Sequence, residues 1–139
     1  MLLFQHPNRK LKRRLLRAFW LDLTRRLTPG KAPTCLITTD AELRSLNRRF
    51  RRKDAPTDVL AFPSANGAAS EIAISFDRAA EQAAELGHDI DEELRILMLH
   101  GLLHLAGMDH ETDQGAMAMA ETKWRKLLGL PLGLIERSR

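Results

Sequence analysis

The sequence has a single cysteine and no apolar run long enough to cross a membrane. With no second cysteine, Cys35 cannot form an internal disulfide, and nothing indicates a cysteine-based metal site; we predict that it lies in a strand. The longest uncharged apolar run, Ile96 to Met108, is well short of the roughly 18 residues of a membrane span. The first ten residues, MLLFQHPNRK, lack the basic region and cleavage site of a secretion signal. We therefore expect a cytoplasmic protein with no membrane partner.

Internal repeats and low-complexity segments are also missing. Apolar residues make up 44% and charged residues 29% of the 139 positions, which is an ordinary balance for a globular protein. This length is sufficient to bury one hydrophobic core. We expect a single domain spanning residues 1–139.

Acidic residues are scarce in the first part of the chain. Residues 1–57 hold 15 Lys and Arg against 4 Asp and Glu, whereas residues 58–139 hold 7 against 14. A basic half beside an acidic half suggests a surface that attracts a polyanion. The alternative is that many of these charges lie on solvated helix faces, and charge alone does not decide between the two.

Strand patterns come early in the chain and helix patterns come late. Apolar and β-branched segments predict strands at 34–39, 59–63 and 71–75. Helical spacing, caps and breakers predict helices at 8–27, 40–49, 76–87, 89–107 and 112–128. The first helix is predicted to bury Leu11, Leu15, Phe19 or Leu23, and Leu27, and the last to bury Met117, Ala120, Trp124 and Leu127. We expect an α+β fold, with a small mixed sheet packed by about five helices.

Three histidines stand in or just after one apolar helix. His100 and His104 are four residues apart, so their rings lie on one helical face. Gly107 permits a left-handed turn that would end the helix and let His110 return toward them. Three imidazoles leave a fourth position open, which suits one catalytic zinc ion with bound water in a cleft. The alternative is three unrelated histidines; His6 and His88 have loop-like surroundings and no predicted role.

The spacing of these histidines is also similar to that of metzincin proteases, with one difference. Those enzymes carry a glutamate general base directly after the first histidine, and this sequence has Gly101 there. Proteolysis therefore loses its main support. Asp109 either orients a metal ligand or forms the turn.

The other dense segment is LNRRFRRKDAPTDVLAFP, residues 46–63, with five cations before a proline-containing loop. A guanidinium near a zinc ion binds phosphate through two parallel hydrogen bonds and stabilises the charge that develops during phosphodiester cleavage. The alternative is a solvated basic loop.

Taken together, LNRRFRRKDAPTDVLAFP, EIAIS and HGLLHLAGMDHE resemble the YbeY family of bacterial metal-dependent endoribonucleases. The resemblance spans roughly residues 36–131. It implies zinc at His100, His104 and His110, and a catalytic or substrate-binding role for Arg51, which follows Phe50. It further implies cleavage of single-stranded RNA, maturation of the 3′ end of small-subunit (16S) rRNA, and ribosome quality control at the ribosome. A metalloprotease and a non-catalytic, ribosome-associated zinc factor are the alternatives.

Overall fold

A four-stranded mixed sheet lies at the centre of the computed structural model, which describes residues 1–6, 11–55, 57–63, 70–108 and 113–137. The strands are β1 (Leu2–Phe4), β2 (Thr34–Thr38), β3 (Val59–Phe62) and β4 (Glu71–Ser75). Their order is β1-β2-β4-β3; β1, β2 and β4 are parallel, and β3 runs antiparallel to β4 at one edge. Strand β1 is absent from the sequence prediction because three residues carry too little pattern, and its pairing with β2 is a tertiary contact.

Six helices surround this sheet in the described part of the chain. They are α1 (Arg13–Leu27), α2 (Asp40–Arg51), α3 (Phe76–Leu86), α4 (Ile90–Leu105), α5 (Ala116–Leu127) and α6 (Leu134–Arg137). Local signals set several of their ends. Asp89 and Glu92 form a capping box at the start of α4, and Gly87 ends α3 with φ +74°. The predicted α+β class is confirmed, and the four-residue α6 is the additional helix.

Helix α4 forms the centre of the main core. Every residue from Ile96 to Leu103 is buried, because α4 packs against α1, α3, α5 and the strands β3 and β4. A helix that is apolar all round requires such complete enclosure. The other face of the sheet carries α2 and a smaller cluster of buried side chains from Leu43, Leu60 and Ala73.

Two of the predicted core positions are wrong. Leu15 is 53% exposed and Leu127 is 62% exposed. In α1 the buried face contains Leu16 and Trp20 together with the predicted Leu23, because packing on α4 decides which side of the helix faces the core. Cys35 is buried in β2 as predicted, and its burial raises the pKa of its thiol well above the ordinary value. No described helix has the length and apolar character needed to span a bilayer.

Candidate active site

A cleft of about 440 Å³ opens between α4, β3 and the C-terminal end of α2. Arg51 and Lys53 reach it from the end of α2 and the following loop, and His100, Gly101 and His104 reach it from α4. The other described lining residues are Thr57, Asp58, Val59, Leu60, Ala61 and Pro63. Tertiary structure thus brings the basic segment and the histidine helix into one cleft.

The two helical histidines lie side by side. Their ring centroids are 4.9 Å apart and the ring planes make an angle of 74°, as expected for residues one turn apart. His100 is buried, and His104 is half-buried. Gly107 has the predicted left-handed backbone, with φ +94°. His110 and Asp109 lie outside the described residues, within which no group of three potential metal ligands is found. The three-histidine zinc site remains a prediction.

The side chain of Glu121, on α5, holds the ring of His100. Glu121 is fully buried, and its Oε2 lies 2.8 Å from His100 Nδ1. Its Oε1 accepts a hydrogen bond from the backbone N–H of Ile135 at 2.8 Å. A Cβ at Gly133 would collide with this carboxylate, so glycine leaves the space that Glu121 occupies. A carboxylate on one ring nitrogen is the usual partner of a metal-binding histidine, since it fixes both the ring and its tautomer.

Sequence reasoning misses Glu121, although the pattern of α5 contains a signal for it. Glu121 is four residues after Met117 and three before Trp124, so it lies on the apolar stripe predicted to be buried. A carboxylate in such a stripe needs a buried partner. The signal indicates a paired acid but does not identify the partner.

A second buried acid, Glu93, joins the N-terminal half of α4 to the C-terminal helix. Glu93 is fully buried. Arg137 Nη1 donates to its Oε1 at 2.9 Å, and the same oxygen lies 2.6 Å from His88 Nε2. His88 thus has a structural partner. Because α6 also supplies the Ile135 N–H, this pairing fixes the element that holds Glu121.

Arg51 bridges α2 and the edge strand β3. Its Nη2 donates to the carbonyl oxygen of Ala61 at 2.7 Å. The following loop is held by buried Asn47, whose Nδ2 donates to Ala55 O at 2.9 Å. The backbone carbonyl of Asn47 also accepts from Lys53 N–H at 3.2 Å. The guanidinium of Arg51 is therefore anchored over the edge of the sheet.

The other cations of the segment divide into two groups. All five cations are exposed. Lys53 lines the cleft together with Arg51, whereas Arg48, Arg49 and Arg52 are not among its lining residues. Sequence reasoning separates Arg51 from these three arginines but does not single out Lys53. The position of Lys53 depends on the left-handed Arg52, with φ +56°, which ends α2.

Gly101 lies where α4 contacts the sheet. A Cβ at this position would come within 3.1 Å of Ile72 and 3.2 Å of Val59. Such contacts are tighter than ordinary van der Waals contact, so a glutamate at this position, as in the proteases, would require the side chains of Ile72 and Val59 to shift. Close packing of α4 on the sheet thus explains why a glycine fits at this position.

Asp58 is the only acid among the described lining residues of the cleft. Its Oδ1 accepts from its neighbour's backbone N–H, that of Val59, at 2.8 Å. Its Oδ2 accepts from Gln82 Nε2 at 3.2 Å. Sequence reasoning assigns Asp58 to a loop without a role, because its place beside the histidines follows only from the packing of β3 on α4.

Comparison with known proteins points to one family. The family model described as endoribonuclease YbeY matches residues 9–129. An endoribonuclease YbeY of Solibacter usitatus is 52% identical over 134 residues, covering 96% of this chain and 91% of the relative. One from Koribacter versatilis is 62% identical over 104 residues, covering 74% and 68%. A solution structure of a Thermotoga maritima protein has a TM-score of 0.64 at 27% identity, covering 93% of this chain and 90% of that one. The resemblance seen in the arginine and histidine segments is confirmed: the chain belongs to the endoribonuclease YbeY family.

Proposed function

We propose that this protein is a metal-dependent endoribonuclease, formed by a single domain of residues 1–139, that cleaves single-stranded RNA. One observation carries the proposal beyond family membership. A cleft holds two cations, Arg51 and Lys53, together with two neighbouring histidines, the first of which is oriented by a buried carboxylate. This combination suits a phosphodiester substrate because it offers both a phosphate-binding group and a metal-binding group.

The donor set fits zinc. His100 and His104 supply imidazoles from one helical face, and Glu121 on Nδ1 directs His100 to coordinate through Nε2. His110 would complete three nitrogen ligands for one ion per chain. When bound, zinc polarises a phosphoryl oxygen and lowers the pKa of bound water toward about 7.

The protein's own groups would bind and orient the RNA. A guanidinium has five N–H donors, and one nitrogen of Arg51 donates to Ala61. The remaining donors can bind two oxygens of a phosphate and stabilise the charge that accumulates during cleavage. Lys53 adds a second positive charge to the cleft.

The cellular role forms the finer part of the proposal. We infer that the enzyme acts in the cytoplasm on ribosomal RNA, at the 3′ end of small-subunit (16S) rRNA, and contributes to ribosome quality control at the ribosome. The family relationship supports an RNA substrate. Positions 1–57 contain 15 basic and only 4 acidic residues, which favours binding of a polyanion. The protease alternative is disfavoured by Gly101 and its contacts with Ile72 and Val59.

The decisive experiment measures cleavage of a defined single-stranded RNA by purified protein with zinc, with chelator, and with zinc restored. We expect chelator-sensitive cleavage, loss of activity in His104→Ala, and no cleavage of an unfolded peptide. Zinc content should be about one ion per chain, since a three-histidine site binds one. Full zinc occupancy in His100→Ala would contradict the ligand assignment, and a closed four-ligand zinc site without cleavage would favour the non-catalytic ribosome-associated factor.

A further inference from the structure

An apolar groove of about 410 Å³ lies beside α2, on the other face of the sheet from α4. Its lining includes Leu3, Leu36, Leu46, Phe50, Phe62 and Ala73. Side chains alternate between faces along a strand, so Val59 contacts α4 at Gly101 while Phe62 packs with the α2 cluster. Phe50 is 57% exposed, which leaves much of an aromatic ring available to a ligand.

The aromatic residues of this groove are neighbours of the candidate phosphate site. Phe50 and Phe62 form an edge-to-face pair with centroids 5.4 Å apart. Phe50 precedes Arg51, and Phe62 follows Ala61, to which Arg51 donates. Phe50 and Phe62 are thus the chain neighbours of the two residues in the Arg51–Ala61 hydrogen bond, so the aromatic pair and Arg51 belong to the same junction between the end of α2 and β3.

We propose that this groove, around Phe50 and Phe62, is a stacking subsite for one nucleobase of the RNA whose phosphate lies at Arg51. The proposal rests on the proposed function and adds a second anchoring point to it. Bases of single-stranded nucleic acid stack on aromatic side chains while a cationic track follows the backbone. Here the guanidinium of Arg49 lies 5.6 Å from the Phe50 centroid, and Arg48 and Arg52 are exposed nearby in sequence.

The acidic residues of the groove favour a base as its occupant. Glu42 and Glu71 line it together with the apolar side chains. Carboxylates repel a phosphate, but they accept hydrogen bonds from the amino groups on base edges. The arrangement therefore favours a base in the groove and the sugar–phosphate backbone along the arginines.

The test is RNA binding measured by fluorescence anisotropy with a short labelled single-stranded oligoribonucleotide, in chelator so that no cleavage occurs. Phe50→Ala should weaken binding by about 5- to 150-fold, the effect of losing one base–aromatic stack. Phe50→Trp should retain the affinity, since indole offers a larger face. Leu15→Ala, which removes another exposed apolar side chain on α1, is the matched control and should bind as the wild type does.

A second arm replaces single nucleotides of the RNA in turn by abasic ones. Wild type should lose affinity at one position beside the scissile bond, and Phe50→Ala should lose nothing further there because both changes remove the same stack. Additive losses, or full affinity in Phe50→Ala, would overturn the proposal. The proposal would also be overturned if sedimentation showed that the wild type is a dimer and that Phe50→Ala is a monomer, because the groove would then be a subunit interface. The proposed nuclease function is tested by a separate measurement: if it is wrong, the zinc-loaded wild type will not cleave the RNA, whatever the result of the binding experiments.

Discussion

Glu121 is a carboxylate inside the core, where an unpaired charge would be strongly unfavourable. Its oxygens are satisfied by His100 and by the N–H of Ile135, each at 2.8 Å. An acceptor at Nδ1 favours the imidazole tautomer that carries its proton on that nitrogen, so Nε2 has the lone pair for coordination. At the proposed zinc site, the affinity of the protein for the metal should therefore depend on a residue that is not one of the proposed ligands.

Glu121→Gln tests this dependence. The Ile135 N–H requires an oxygen, so the glutamine amide would point its NH₂ group at His100 and favour the tautomer with the proton on Nε2. We expect zinc affinity to fall by about 10- to 100-fold while the fold is kept, measured by competition with a chromophoric chelator. Glu81→Gln, an exposed change on α3, is the control. Unchanged zinc affinity in Glu121→Gln would show that the carboxylate serves packing only.

Arg51 is anchored at Ala61 and faces the cleft, so we expect it to act on the transition state. Arg51→Ala should retain zinc and fold while single-turnover cleavage at saturating protein falls by about 10²–10³. Arg51→Lys should restore only part of the rate, because an ammonium lacks the planar fork of the guanidinium. Wild-type turnover by Arg51→Ala at saturation would reduce Arg51 to a docking charge.

At the scale of elements, the four-residue α6 is fixed by two charge pairs. Arg137 binds buried Glu93 on α4, and Arg125 on α5 binds Glu136 through two hydrogen bonds of 2.7 and 2.9 Å. Such a short helix has little stability of its own. These pairs therefore hold the backbone N–H that positions Glu121.

Removing Arg137 would leave the buried carboxylate of Glu93 with His88 as its remaining described partner. Breaking one partner of a buried pair typically destabilises a protein by about 3–5 kcal/mol. We therefore expect Arg137→Ala to lower the free energy of unfolding by an amount in this range, measured by denaturant titration at neutral pH. Zinc affinity should fall as well, because α6 is then fixed only by the Arg125–Glu136 pair of these two and holds Ile135 against Glu121 less firmly.

Arg125→Ala is the matched comparison, since the Arg125 and Glu136 side chains are 18% and 16% exposed. We expect Arg125→Ala to lower the free energy of unfolding by less than Arg137→Ala does, and by an amount that depends on pH. The hydrogen bond from Arg125 lowers the pKa of Glu136 below its ordinary value of 4.5. The pair therefore contributes stability above that value, and the contribution is lost as the pH falls through the lowered pKa. Equal losses in both variants, or one independent of pH in Arg125→Ala, would contradict this account.

For the whole molecule, the dominant feature is the division of charge along the chain. The basic part contains α1, α2 and the loop that carries Lys53, and the cleft opens at the end of α2. Exposed arginines outside the cleft can attract RNA without taking part in its cleavage. They should make binding depend on salt and leave the chemical step unchanged.

Arg48→Ala and Arg52→Ala test this division of roles. The slope of log binding constant against log salt concentration should decrease in magnitude by about 0.7 for each phosphate that the variant no longer neutralises. Cleavage at saturating RNA should stay close to the wild-type rate. Arg25→Ala on α1, exposed but not among the cleft residues, should change the slope less. A loss of turnover equal to that of Arg51→Ala would refute the distinction.

Whether a structural feature can be predicted from the sequence depends on how far apart in the chain the interacting residues are. The capping box of α4, the glycine end of α3 and the neighbouring rings of His100 and His104 follow from residues a few positions apart, and all are found. The α+β class follows in the same way, from local periodicity. Strand β1 and helix α6 are missed because their stability comes from partners distant in the chain.

The sequence by itself determined the family, through the spacing of HGLLHLAGMDHE and of the arginine segment, because spacing along a helix is a local property. Only the tertiary structure decided which distant groups serve these residues. Packing of α5 on α4 gives His100 its carboxylate, packing of α4 on β3 and β4 leaves little room for a side chain at Gly101, and the edge of β3 anchors Arg51. The physical reason is that burial and pairing of charge depend on contacts between elements. The periodicity of one element can indicate that a residue such as Glu121 is buried, but it does not identify that residue's partner in another element.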